Sequence, residues 1–218
     1  MRDGAGRILT VVGALAPLLW AITFICSGFF HSEYSHYRQF ISELGERGSS
    51  TEILMRYGAF NLPGVMLASF GLLLLTKFNH SKVAILGAFF LILSGIARLG
   101  AGMFPCDPGC MPINPSFSQK MHNLSAALAT FFLAGSGCLW GFASRKLLGT
   151  PWFSWYSFLS AVIGIVFFVL MAAATREGVG LFQRISLGVL HLWVLMLALA
   201  VLRSSKFLSS NPSLHRSR

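Results

Sequence analysis

Few side chains in this sequence can do chemistry from inside the apolar stretches that hold them, and they gather towards one end of those stretches. Arg98 lies within Ser94–Pro112, SGIARLGAGMFPCDPGCMP. It sits about six residues before its apolar run ends, roughly 9 Å deep at helical rise. A guanidinium at that depth is costly and marks a functional position by default. Three roles are open to it: snorkelling to headgroups, pairing with Asp107 or Glu43, and holding a ligand. His122 and Asn123 follow just across the next loop. Arg184 and His191 are spaced i, i+7 and so share a helix face, with Gln183 and Ser186 nearby. Asn61 needs a hydrogen-bond partner in its apolar surroundings, and Pro63 frees a backbone carbonyl close by. Arg98, Arg184, His191 and Asn61 are therefore the candidate ligand-binding residues. His122, His191, Asp107 and Glu43 are the candidates for acid–base work.

Cys106-Asp107-Pro108-Gly109-Cys110 is the most specific short motif. A Pro-Gly turn can bring its flanking cysteines within the ~7 Å Cα separation a disulfide needs, and a bridge there would hold Asp107 in place. Metal-ligand types are present in His31, His36, His122, His191, Glu33 and Asp107. They lack the HExxH pattern and have no histidine pair at i, i+4, so no metal is expected. No phosphate loop, dinucleotide fingerprint, haem attachment motif or nucleophile elbow appears, and no cofactor is expected.

The elements that must position these groups follow from composition. Of 218 residues, 55% are hydrophobic and 11% charged. That is too little charge to cover a soluble domain, and the apolar residues come in blocks of about twenty, the length that crosses a bilayer as a helix. The expected fold is all-α: one domain, a polytopic bundle of six transmembrane helices. The spans run over 8–30, 56–76, 83–104, 121–143, 152–175 and 180–202. Residues 203–218 read as a basic, disordered tail. Arg2 and Arg7 precede an apolar stretch too long for a signal peptide, so the first span is read as an uncleaved helix.

The formal net charge of +10 is distributed unevenly. One set of loops and ends carries Arg2, Arg7, Lys77, Lys82, Arg145, Lys146, Arg203, Lys206, Arg216 and Arg218 against Asp3 alone. The other set is near neutral. Excess Lys and Arg marks the cytoplasmic side, which places both termini in the cytoplasm, the Cys106–Cys110 loop outside, and the protein in the cytoplasmic (inner) membrane. No basic run is interleaved with aromatics, so no nucleic-acid partner is expected. The expected partner is membrane lipid, with a small amphiphile as ligand. In the first outer loop Tyr37, Phe40, Ile41 and Leu44 fall at i, i+3, i+4 and i+7, predicting an amphipathic helix over Tyr34–Leu44 that serves as an interfacial anchor or a lid. Ser49 and Glu52 read as a capping box opening the second span.

The order ISELG (Ile41–Gly45), GMFPCDPGC (Gly102–Cys110), MHN (Met121–Asn123) and QRISLGVLHLW (Gln183–Trp193) resembles the prokaryotic integral membrane family catalogued as domain of unknown function 998. The resemblance implies a six-helix membrane protein with Glu43, Asp107, His122 and Arg184 at family-pattern positions. It implies no reaction. Three functions are compatible with these residues. The first is binding or moving a small amphiphile or lipid headgroup in an outer polar pocket. The second is a membrane-embedded lipid hydrolase or transferase using histidine and carboxylate. The third is a structural or assembly subunit.

Overall fold

The computed structural model describes residues 2–31 and 33–210. Six helices in it are long and apolar enough to cross a membrane, and no strand occurs among the described residues. They are α1 (Arg2–Phe29), α2 (Glu52–Lys77), α3 (Lys82–Met103), α4 (Phe117–Leu147), α5 (Pro151–Ala173) and α6 (Val179–Ser210). An even number of spans puts both ends of the chain on one face. The opposite face carries the connections over 30–51, 104–116 and 174–178 and is called the long-loop face below.

Local chemistry sets the boundaries. The Ser81 and Ser116 hydroxyls accept the Ala84 and Gln119 amides and cap α3 and α4. Pro151 opens α5, where its missing N–H costs nothing. α2 starts at Glu52 and not at the expected Arg56. Glu52 and Arg56 pair at 2.9 Å across one turn, and Arg56 also donates to the Gly102 and Met103 carbonyls, so both charges are accommodated within the helix. The Ser49 hydroxyl turns back to the Leu44 carbonyl and does not cap α2. α6 runs to Ser210, into the stretch read as a tail. Residues 211–218 lie outside the described residues.

Each helix packs on its neighbours in the chain, and α6 closes back on α1, so the six form a ring. The most extensive contact is α3 on α4. The Ser94 hydroxyl donates to Ala129 O and the Ser136 hydroxyl to Gly87 O, both at 2.8 Å, tying these two helices together. α2 crosses α3 where Gly64 meets Gly95, and a Cβ on Gly64 would lie 2.8 Å from Gly95 O. Only hydrogen fits there, which is how small residues bring membrane helices together. Trp140, Phe70, Leu133, Trp193 and Leu197 fill the core towards the short-loop end.

The segment expected as an α-helix over Tyr34–Leu44 is turns followed by a 3-10 helix, Ile41–Gly45, whose five residues are all buried. The physical reason is competition for its backbone groups. The Phe40 amide donates to Glu43 Oε1 at 3.0 Å, the Ile41 amide to Gln183 Oε1 at 2.5 Å, and Gln39 O accepts from Arg184 Nη1 at 3.0 Å. Side chains of the segment itself and of α6 hold the groups an α-helix would use. The segment sits over the end of the bundle as a lid.

Candidate functional site

Beneath the lid, the ring leaves a cavity of about 60 Å³. Ile41 and Ser42 of the lid, Phe60 of α2, Arg98 and Ala101 of α3, His122, Ala126 and Thr130 of α4, Phe168 and Met171 of α5, and Gln183 and Ser186 of α6 line it. A larger space of about 330 Å³ shares Ser42, His122, Ala126, Phe168, Met171 and Gln183 with it and continues between α4 and α5.

Arg98 is the charge at this cavity, and only 5% of its surface is exposed. Its hydrogen bond among the described residues runs from Nη1 to Ala59 O at 3.4 Å, longer than a good N–H···O contact. Its Nε has no partner. The acceptor exists because of α2's backbone. Met55–Asn61 is π-helical, and Pro63 in the next turn has no N–H to give back to it. π-Helical turns of this kind occur often at functional sites. Asp107 and Glu43, the expected carboxylate partners, do not reach Arg98, and no carboxylate pairs with it among the described residues.

His122 is 5% exposed and borders both cavities. Its Nδ1 lies 2.9 Å from both Ala101 O and Phe104 O. Two carbonyls around one ring nitrogen assign the proton to Nδ1 and leave Nε2 as the acceptor. Gln183 borders both cavities while gripping the lid at Ile41.

The other candidates, Glu43, Arg184, His191, Asn61 and Asp107, line neither cavity. Glu43 is buried and saturated: it accepts from Arg176 Nη1 at 2.7 Å, Gln39 Nε2 at 3.0 Å and the Phe40 amide. Arg184 donates to Gln39 O, Gly180 O and the Tyr34 hydroxyl, and its guanidinium lies over the Phe24 and Tyr34 rings at 5.9 and 5.5 Å. It borders neither cavity and locks α6 to the first loop. Burial pushes the Tyr34 hydroxyl up to about 12 despite the Arg184 charge beside it. His191 stacks on Trp20 of α1 at 4.0 Å, with Nδ1 2.6 Å from Leu187 O and Nε2 buried without a partner. Asn61 lies against Gly102 of α3, its Oδ1 also unpartnered. Face-sharing on α6 was sound for Arg184 and His191; that face meets Trp20, Phe24 and Tyr34, and His191 also lies within electrostatic reach of Arg98.

Asp107 serves the scaffold. It accepts from the Ser116 hydroxyl at 2.7 Å and the Ser116 amide at 2.9 Å, and these bonds hold its carboxyl below the usual carboxylate range. Cys106 and Cys110 have their sulfurs at disulfide-bonding distance with a Cα separation of 5.2 Å. Gly109 between them adopts φ +73°, which favours glycine. This loop fastens the lid's end: Arg47 N donates to Cys106 O at 2.9 Å, Gly109 N to Glu46 Oε2 at 2.6 Å, and Arg176 Nη2 to Gly109 O at 2.7 Å. Arg176 thus bridges loop and lid, a role no local sequence signal announced. Groups of three or more His, Cys, Asp or Glu arranged to hold a metal are absent among the described residues.

The lowered Asp107 has a pH consequence. Its stabilising effect is complete above the ordinary carboxylate value near 3.9 and is lost as pH falls through its lower folded value. Protection of the first turn of α4, measured by hydrogen exchange corrected for intrinsic rates, is therefore expected to hold down to about pH 4 and to fall below it. Asp107→Asn should remove that acid limb. A wild-type profile unchanged well below this range would contradict the assignment.

No curated protein and no solved structure matches the chain. A family model described as "Protein of unknown function (DUF998)" matches residues 14–200, from the middle of α1 to deep in α6 and including the lid, the cysteine loop and Arg98. The chain belongs to this family.

Proposed function

We propose that this protein binds a small anionic amphiphile, by its headgroup, in the cavity under the lid, on the extracytoplasmic side of the cytoplasmic membrane, with Arg98 as the counter-charge. The observation that carries this is the state of Arg98. It is buried, it borders a cavity, and among the described residues it has one long hydrogen bond and no carboxylate partner. An uncompensated buried charge costs several kcal/mol, and an anion in the cavity offsets that cost. His122 contributes the neighbouring polar group, and Gln183 and Ser42 add hydrogen-bonding capacity at the same wall. The side assignment rests on the Lys and Arg excess at the short-loop face. The hydrolase reading calls for a histidine within hydrogen-bond reach of a carboxylate, an arrangement missing among the described residues. A purely structural role calls for Arg98 to be saturated, and its free Nε weighs against that.

The test compares probes that share one chain. Dodecyl phosphate and dodecylphosphocholine are added to the detergent-purified protein, and the melting temperature is followed. Dodecyl phosphate is expected to stabilise the wild type, the zwitterion to have little effect, and Arg98→Gln to erase the difference. Losing one partner of a buried charge pair costs about 2–5 kcal/mol of binding, so affinity should fall at least ~30-fold. Equal responses to both probes, or a response retained in Arg98→Gln, would overturn the proposal.

A further inference from the structure

The larger of the two spaces bears on what kind of molecule fits. Resting on the reading above, we infer that the ligand is a single-chain anionic lipid that reaches Arg98 sideways from the bilayer, its chain lying in the cleft between α4 and α5.

The cleft has a floor and a mouth. On the short-loop side α4 and α5 are in close contact: Gly141 packs under the Phe158 ring, a Cβ on Gly137 would lie 3.5 Å from that of Ala161, and the Phe131 and Phe168 rings meet at 5.4 Å. Above Phe168 the helices part. The walls there are Ala126 and Ala127 on α4 and Met171 and Ala172 on α5, and Phe40, Cys110 and Met111 bound the space towards the long-loop face. Small side chains on α4 leave room that larger ones would fill. Phe168 lies about 8 Å from the end of α5 at helical rise, so the floor of the cleft lies at the depth of hydrocarbon, and its upper part reaches the long-loop face. Ala172 is exposed, and Ala126 and Ala127 are half-buried, which opens this side of the cleft to lipid. The inner end joins the Arg98 cavity through residues common to both.

Charge and shape therefore divide along one path. The inner end offers a cation with no carboxylate partner among the described residues, and the outer stretch offers an apolar slot facing the membrane. A volume of about 330 Å³ is at the low end of the ~300–1,000 Å³ typical of ligand sites and suits one chain. A water-borne anion would use the inner end alone and would have no need of the slot.

The experiment titrates the full-length, detergent-purified protein with palmitate and reads occupancy by native mass spectrometry, with acetate, inorganic phosphate and dipalmitoyl phosphatidate as competitors. Ala127→Trp and Ala172→Trp narrow the cleft from opposite walls at lipid-facing positions and leave Arg98 untouched. Palmitate is expected to bind the wild type and to bind each tryptophan variant and Arg98→Gln at least tenfold more weakly. None of the three competitors should displace it at equal concentration. Unchanged binding in both tryptophan variants with loss in Arg98→Gln would overturn the cleft and leave the Arg98 site standing. Loss in the tryptophan variants with full binding in Arg98→Gln would overturn the Arg98 site. Displacement by acetate or phosphate would make the ligand a water-borne anion, and displacement by the two-chain lipid would overturn the single-chain claim. No palmitate on the wild type would overturn both.

Discussion

Arg98→Met is expected to make the ligand-free protein more stable while abolishing its response to an anionic amphiphile. Methionine fills comparable space with a flexible apolar chain and needs no counter-charge. Exchanging buried ionic groups for well-packed apolar ones is often neutral or stabilising by about 1–4 kcal/mol. At roughly 2–4 °C per kcal/mol for a chain of this size, the melting temperature should rise by several degrees. A residue kept at such a cost to the empty protein is retained for what it binds, the usual trade between stability and function. Thermal unfolding in detergent, with and without dodecyl phosphate, measures both effects. A fall of several degrees in Arg98→Met would show that the bond to Ala59 O holds α2 and α3 together and that the charge serves packing.

Glu43→Ala should have the second large effect, through the lid. The carboxylate is 5% exposed and takes hydrogen bonds from Arg176, Gln39 and the Phe40 amide. Its removal leaves the Phe40 amide and Gln39 without their acceptor, at about 1–3 kcal/mol for each group left buried. Arg176 is half exposed and finds water, so its share is small. A loss of about 2–4 kcal/mol is expected, with faster hydrogen exchange over residues 39–45. Glu43→Gln keeps an acceptor oxygen and should lose less than half as much. Exchange over the lid unchanged in Glu43→Ala would show that Gln183 and the cysteine loop hold it unaided.

The six spans were legible because hydrocarbon imposes a simple rule, runs of about twenty apolar residues. Where charged residues satisfy one another within a helix, the rule misplaces the end. Arg56 looked like a boundary, yet with Glu52 and two carbonyls of α3 it lies inside α2. Ser118, Gln119 and Lys120 read as loop, but the Ser116 cap starts α4 at Phe117. Of the four residues the lid's spacing placed on one face, Ile41 and Leu44 are buried and Tyr37 is exposed, and the lid's secondary structure depended on Gln183 and Arg184, distant in sequence. The π-helical stretch before Pro63 has no periodic signature and was not foreseen.

The site was half legible for a related reason. Arg98 and His122 stand out because polar groups in apolar runs are expensive, and both border the cavity. The pairing of Glu43 with Arg176 joins residues 133 positions apart, which no spacing rule connects. Arg184 and His191 share a face as expected, but periodicity cannot say which neighbour that face meets, and here it meets Trp20, Phe24 and Tyr34 of α1 and the first loop. Asp107 lies within the most specific motif and looked like a partner for Arg98. Its own neighbour Ser116 satisfies it instead.

The central claim is that Arg98 is held for an anionic lipid. Its most direct test is native mass spectrometry of the protein extracted from its own membrane in mild detergent, wild type beside Arg98→Gln. The wild type is expected to carry one equivalent of an adduct whose released mass and fragmentation identify a single-chain anionic lipid, and Arg98→Gln should be bare. A bare wild type, or the same adduct at the same occupancy in both proteins, would contradict the account.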